Sequence, residues 1–113
     1  MADLVMVNNK QTVAADTIED FFTAKSAGAG GKGARISAFT ASNNTTASAS
    51  YKAYIYDSLG GLVQAVIPQK IVVRDRFDLG PSIVSQIIPA GGSLRIETST
   101  LASISFYVTG KEL

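Results

Sequence analysis

Residues 93 to 109 constrain the fold more than any other part of the chain. Leu94, Ile96 and Thr98 alternate with Arg95, Glu97 and Ser99, and Ile104, Phe106 and Val108 alternate with Ser105, Tyr107 and Thr109. Successive side chains of a strand point to opposite faces, so a period of two makes one oily surface and one wet one. A helix, with its period of about 3.6, cannot sort these residues that way. The segment reads as two antiparallel strands packed on one side, joined by a turn near Ser99–Ala102. The preceding "PAGG" (89–92) is a turn as well, because Pro89 presets its own φ and the glycines accept positive φ.

The rest of the chain follows suit in short segments. "DLVMV" (3–7) is an apolar run suited to a strand, "ARISAFTAS" (34–42) is β-compatible, and "NNTT" (43–46) reads as a loop. In "YKAYIYD" (51–57), Tyr51, Ala53 and Ile55 are expected to face the core, with Lys52, Tyr54 and Tyr56 outward. "SLGG" (58–61) turns into "LVQAVI" (62–67), a hairpin. "KIVVRDRF" (70–77) places Ile71, Val73 and Phe77 on the apolar side and Arg74 and Arg76 on the other; Asp75 on the apolar side marks a bulge or strand end. "TVAADTIEDFFTAK" (12–25) has two readings. Asp16 and Glu19 match a capping box that would start a helix at Thr17. The alternative is an irregular strand through Phe21 and Phe22, which the β character downstream favours. About seven to nine short strands predict an all-β fold, an antiparallel sandwich of jelly-roll-like type. It forms a single domain over 1–113, with 1–10 as an N-terminal arm or edge strand.

Composition removes whole classes of chemistry. The 113 residues suit one domain, and an apolar fraction of 46% fills its core. With no cysteine and no histidine, disulfides, thiolate metal sites and the commonest general base are all missing. The net charge of +1 comes with ten basic residues scattered along the chain, which argues against a nucleic-acid partner. No apolar run approaches the roughly 18 residues of a membrane helix, so no membrane partner is expected. "MADLVMVNNK" lacks the basic and apolar regions of a secretory signal, and the chain is read as soluble.

The one stretch with a motif is "SAGAGGKGAR" (26–35), where Gly28, Gly30 and Gly33 fit G-x-G-x-x-G and Gly31-Lys32 is similar to the end of a phosphate loop. A dinucleotide fingerprint needs a helix after the glycines to hold the pyrophosphate, and here a β-like segment follows. A Walker A loop fails too, since Ser26 replaces its first glycine and Gly33 its Ser/Thr. What remains is a turn between strands, or a loop that orders against a partner. Asp16, Glu19 and Asp20, and Asp75 with Asp78, read as solvated carboxylates. The two N-x-T matches in Asn43–Thr46 read as a polar loop. No serine has a base beside it in sequence. Lys52, Arg74, Arg76 and Arg95 make a basic stripe only if their strands are neighbours. Tyr54, Tyr56 and Tyr107 are candidates for exposure, either at an interface or in cross-strand packing. No catalytic, cofactor or metal residue is assigned, and the chain is not expected to be an enzyme.

The order of these features resembles small virion proteins of tailed bacteriophages. The Gly-rich loop leads to "ARISAFTASNNTT"; "YKAYIYDSLGG" follows, and "IVSQIIPAGGSLRIETSTLASISFYVTGKEL" closes the chain. The resemblance covers residues 34–113 and extends to capsid decoration (cement) proteins with jelly-roll-like folds. It implies a non-enzymatic structural protein in the virion, made in the host cytoplasm, that binds the major capsid protein lattice or other virion proteins and stabilises the head. A homo-oligomer, a dimer or trimer, is expected, because contacts repeated by symmetry raise avidity on a symmetric lattice. The expected contact regions are Leu4, Val5, Met6 and Val7, the loop residues Gly28, Gly30, Gly31, Lys32 and Gly33, and outward Tyr54 and Tyr56. Two other readings stay open: a tail, collar or fibre component including receptor binding, and a carbohydrate-binding module.

Overall fold

A computed structural model describes residues 4–80 and 82–113, and all of their side chains but those of 64–69. Asp3 of the expected first strand lies outside the described residues, as do the side chains of most of "LVQAVI". The chain forms β1 (Leu4–Lys10), β2 (Glu19–Thr23), a single 3-10 turn (Ala27–Ala29), β3 (Ala34–Asn43) and β4 (Ala49–Tyr56). It continues through β5 (Leu62–Val72), β6 (Arg76–Asp78), β7 (Ile87–Ile88), β8 (Ser93–Thr98) and β9 (Ile104–Glu112).

The strands form two sheets. The first has the order β1-β9-β3-β6, with β7 also on β3; the second has the order β2-β8-β4-β5. All pairings are antiparallel. Strands from the first half of the chain pair with strands from the second: β1 with β9, β2 with β8, β3 with β6 and β4 with β5. The chain is thus one long antiparallel ribbon rolled into two layers, and that is the jelly roll. The sandwich expected from strand spacing is the observed fold.

Alternation builds the core between the layers. β4 buries every second residue, and Tyr51, Ala53 and Ile55 are inward as expected. Leu94, Ile96, Ile104, Phe106 and Val108 are fully buried. Phe106 sits at the centre of an aromatic group, with ring centroids 5.4 Å from Phe21, 5.9 Å from Phe39 and 5.4 Å from Tyr51. The hydroxyl of Tyr51 donates to Asp78 at 2.5 Å, tying β4 of one sheet to β6 of the other. Burial, reinforced by the Asp78 carboxylate, pushes the Tyr51 phenol far above its usual range.

One open reading is resolved as the favoured strand, and two local expectations are corrected. The helix alternative for 12–25 gives way to β2, and the two capping-box residues do other work. Asp16 takes a left-handed φ of 51°, while the Glu19 carboxylate accepts the amides of Val13 and Ala14 at 2.9 and 3.1 Å, holding the turn before β2. The apolar side of 70–77 is reversed: Val72 is buried, whereas Ile71, Val73 and Phe77 are 66%, 50% and 65% exposed. The reason is that β5 runs unbroken to Val72 and the chain turns at Val73–Asp75 into β6, so one alternation does not span the segment. Pro68 does not end β5, because β5 is an edge and the pairing with β4 slips between Tyr51 and Ala53 to accommodate it. Asn43 is not a loop residue either. It ends β3 fully buried, donating to the carbonyls of Ala47 and Val72 at 2.9 and 2.8 Å and accepting from Thr45, which closes it to any sugar.

Candidate interaction face

The glycine loop is explained by backbone geometry. Gly30 and Gly31 donate to Ala27 and Ser26 in a tight 3-10 turn, and Gly30 sits at φ 86°. A Cβ on Gly31 would stand 2.1 Å from the Lys25 carbonyl oxygen, and one on Gly33 2.7 Å from that of Ile88. Gly31 lets the turn fold back on Lys25 and Gly33 lets the chain pass close to β7, and β3 rather than a helix follows. Gly28 and Gly30 are exposed, Lys32 is exposed, and Gly33 is buried. The loop lies at the end of the sandwich shared with the β7–β8 turn, held there by the Gly91 amide on the Lys25 carbonyl.

The N-terminal candidates divide. Residues 4–10 are an edge strand and not a free arm: Leu4 pairs with Gly110 and Val5 with Thr109. Met6 and Val7 belong to the core, Leu4 packs against it, and Val5 alone of the four is turned outward, half exposed. Tyr54 and Tyr56 are outward as expected, on the second sheet, but each already has a partner. The Tyr54 hydroxyl donates to Glu97 at 3.0 Å, and the Arg95 guanidinium lies 4.3 Å over the Tyr56 ring. The two rings meet edge to face at 6.2 Å. Partial burial, then the Glu97 carboxylate, raises the Tyr54 phenol above its usual range. Register sets Lys52 beside Glu97 and Arg95 between Asp20 and Tyr54, so charges of both signs alternate across this face. The basic stripe does not form, because Arg74 is in the β5–β6 turn and Arg76 on β6, in the first sheet.

The outer face of the first sheet is different in kind. Its cross-strand rows are Val5–Thr109–Ala38, then Tyr107–Thr40, then Ser105–Ser42–Phe77. None of these residues is charged. Among the described residues the register puts charge at the ends of this sheet, at the Arg35–Lys111 pair and at Arg76 beside Asn43. Phe77, Val5 and Tyr107 are 65%, 51% and 39% exposed. Depletion of charge with aromatic enrichment is what distinguishes the centre of a protein interface from ordinary surface. Sequence reasoning did not single out Val5, Phe77 and Tyr107 together. The available signal was that the outward residues of 104–109 are neutral, whereas those of 94–99 include Arg95 and Glu97.

The polar groups near these faces are engaged with one another. Asp78 is occupied by Tyr51, by the Gly80 amide at 3.2 Å and by Lys70 at 3.6 Å. Among the described residues no three His, Cys, Asp or Glu side chains converge to hold a metal. Depressions of about 180–220 Å³ ring the β8–β9 turn, lined by Ser and Thr residues together with Asp16, Lys52 and Glu97 in one and with Leu101 in another. They fall short of the roughly 300 Å³ at which small-molecule pockets begin. What the molecule offers is surface, and its most distinctive surface is the neutral face of the first sheet. Comparison of the chain with protein families, with curated proteins and with solved structures finds no match.

Proposed function

We propose that this is a structural protein of a tailed-phage virion, of the capsid decoration type, that docks on the assembled head through the outer face of its first sheet. The observation that carries the reading is that face: free of charge along three cross-strand rows, and bearing exposed Phe77, Tyr107 and Val5. The jelly roll serves capsid and carbohydrate-binding proteins alike, so the fold by itself does not choose between them. Surface chemistry favours the former. On the second sheet Arg95 already lies over the Tyr56 ring. Phe77 and Tyr107 on the first are open but stand in different rows of an uncharged face, the composition of a protein interface. The mechanism is mass action: a subunit that binds the assembled shell and not its parts lowers the free energy of the shell.

The test is co-sedimentation of the purified protein with undecorated phage heads. The wild type is expected to pellet with heads, and the Phe77→Lys, Tyr107→Lys double variant to stay in solution. Absence of wild-type co-sedimentation would overturn the reading; labelling on intact particles would then show whether the protein sits on a tail, collar or fibre.

A further inference from the structure

We propose that the first two strands form a docked arm that exchanges between neighbouring copies of this chain, with the Gly-rich loop as its hinge. β1 lies on the edge of one sheet against β9, and β2 on the edge of the other against β8. Both edges are on one flank of the sandwich, where the Lys10 ammonium clips the arm together by bonding the Asp20 carbonyl at 2.9 Å. Between the strands, Thr12 and Asp16 bond Thr98, and Gln11 bonds Ala102. Met6, Val7 and Phe21 complete the core, with Phe21 against the ring of Phe106. The arm is thus seated on β8, β9 and the turn that joins them. A second copy offers the same two edges, so it can take the arm through the same contacts.

The hinge is built with slack. The arm is fixed to the body as far as Lys25, whose amide donates to the Glu112 carboxylate at 3.1 Å and whose carbonyl accepts from Gly91 at 3.0 Å. The body resumes at buried Gly33, whose carbonyl accepts from Leu113 at 2.8 Å. Between these anchors the backbone hydrogen bonds stay inside the loop: Ala29 and Gly31 donate to Ser26, and Gly30 to Ala27. The Gly31 amide comes back to within 2.8 Å of the Ser26 carbonyl, so residues 27–30 leave the chain path and return to where they left it. Joining β2 to β3 in the closed fold does not require that excursion. Gly28 agrees, since a Cβ there would meet nothing within 4 Å and its φ is outside the left-handed region.

Drawn out, the slack becomes reach. Eight residue steps from Lys25 to Gly33 extend to about 28 Å, and the sandwich is 27 Å across its middle dimension. That is long enough to seat the arm on an adjoining copy. Opening the loop gives up its three internal hydrogen bonds, while the contacts of the arm itself are all remade. The closed form keeps the advantage of a tethered arm, equivalent to roughly millimolar concentration. Exchange therefore belongs where copies are crowded to that level. In the exchanged form Val5, which stands on the outer face of the first sheet, is supplied by the neighbour.

The chain has no cysteine, so a designed pair reports the exchange. Val5 and Thr109 are register partners on β1 and β9, and Val5→Cys with Thr109→Cys joins arm to body. The reduced protein is held at about 2 mM near its urea midpoint, returned to buffer, oxidised, and run on a denaturing gel without reductant. Closed copies give a single chain mass, and exchanged copies give covalent species of two chains or more. Such species are expected at about 2 mM and should nearly vanish when the cycle is run at about 10 μM. A variant lacking Ala27–Gly30 keeps four steps between the anchors, about 14 Å. It should fold with an unchanged urea midpoint and stay single-chain at both concentrations. No covalent dimer at about 2 mM, or as much from the shortened loop, would overturn the proposal. So would failure of the shortened chain to fold, because the closed form would then need residues 27–30. Exchange is read without heads, and the Phe77→Lys, Tyr107→Lys variant should exchange as the wild type does, so this outcome stands apart from that of head binding.

Discussion

The two outer faces of the sandwich are both built from antiparallel strands, yet they use their outward residues in opposite ways. On the second sheet Lys52, Glu97, Arg95 and Asp20 stand beside one another, and Tyr54 and Tyr56 are held by Glu97 and Arg95. That face is complete in water. Along the three rows of the first sheet the outward residues are Ser, Thr, Ala, Val, Phe and Tyr, and no charge interrupts them. Period-two alternation thus marks which side of a strand leaves the core, but not whether that side meets solvent or a partner. The identity of the outward residues makes that distinction.

The sharpest way to test it is on one strand, with two neighbours that point apart. Phe106→Ala removes the ring at the centre of the aromatic core and should cost about 3–5 kcal/mol in urea unfolding. Tyr107→Lys, one residue on, should cost under about 1 kcal/mol because the ring is already part exposed. Binding should rank the other way. Phe77→Lys with Tyr107→Lys is expected to weaken head binding at least about a hundredfold, roughly 2.8 kcal/mol, while Arg95→Ala on the opposite face changes it less than about twofold. Equal losses from both faces would erase the comparison.

The fold was legible because its signal is local and repeated. Tyr51-Ala53-Ile55, Leu94-Ile96 and Ile104-Phe106-Val108 each declare a buried side within a few residues, and burial follows in every case. What failed was whatever depended on a distant partner. Asn43 looks like a loop residue until Val72, from another strand, brings it a carbonyl. Phe77 looks inward until the turn at Val73–Asp75 breaks the period and hands the residue to the other sheet. Met6 and Val7 looked available for contact, and β9 carries them into the core. The candidate face gathers side chains from β1, β3, β6 and β9, which only the rolled topology brings side by side.

Between the two sheets, Tyr51 offers a smaller effect with a sign. Its hydroxyl–carboxylate bond to Asp78 links the layers, so Tyr51→Phe should cost about 1.5–2 kcal/mol at neutral pH. The folded protein keeps the Tyr51 proton to a pH well above the usual tyrosine range. From about pH 10 the unfolded chain releases that proton and the folded one does not, so stability falls as pH rises. Below that point the contribution is fully present. Urea titrations at pH 9 to 11 should show a shallower decline for Tyr51→Phe than for wild type; equal slopes would mean that another group governs the alkaline limb.

The smallest effects belong to the charged face, and their smallness is itself the point. Tyr54→Phe deletes a half-exposed hydroxyl bond to Glu97, and Arg95→Ala removes a cation from above Tyr56 where water can replace it. Each should lower stability by about 0.5–1 kcal/mol, because exposed pairs exchange one hydration shell for another. Added salt should shrink the Arg95→Ala difference further, since exposed charges are screened within about 8–10 Å. A loss above about 2 kcal/mol from either variant would place this face among the elements that hold the sandwich together, and the contrast with the first sheet would then be one of degree.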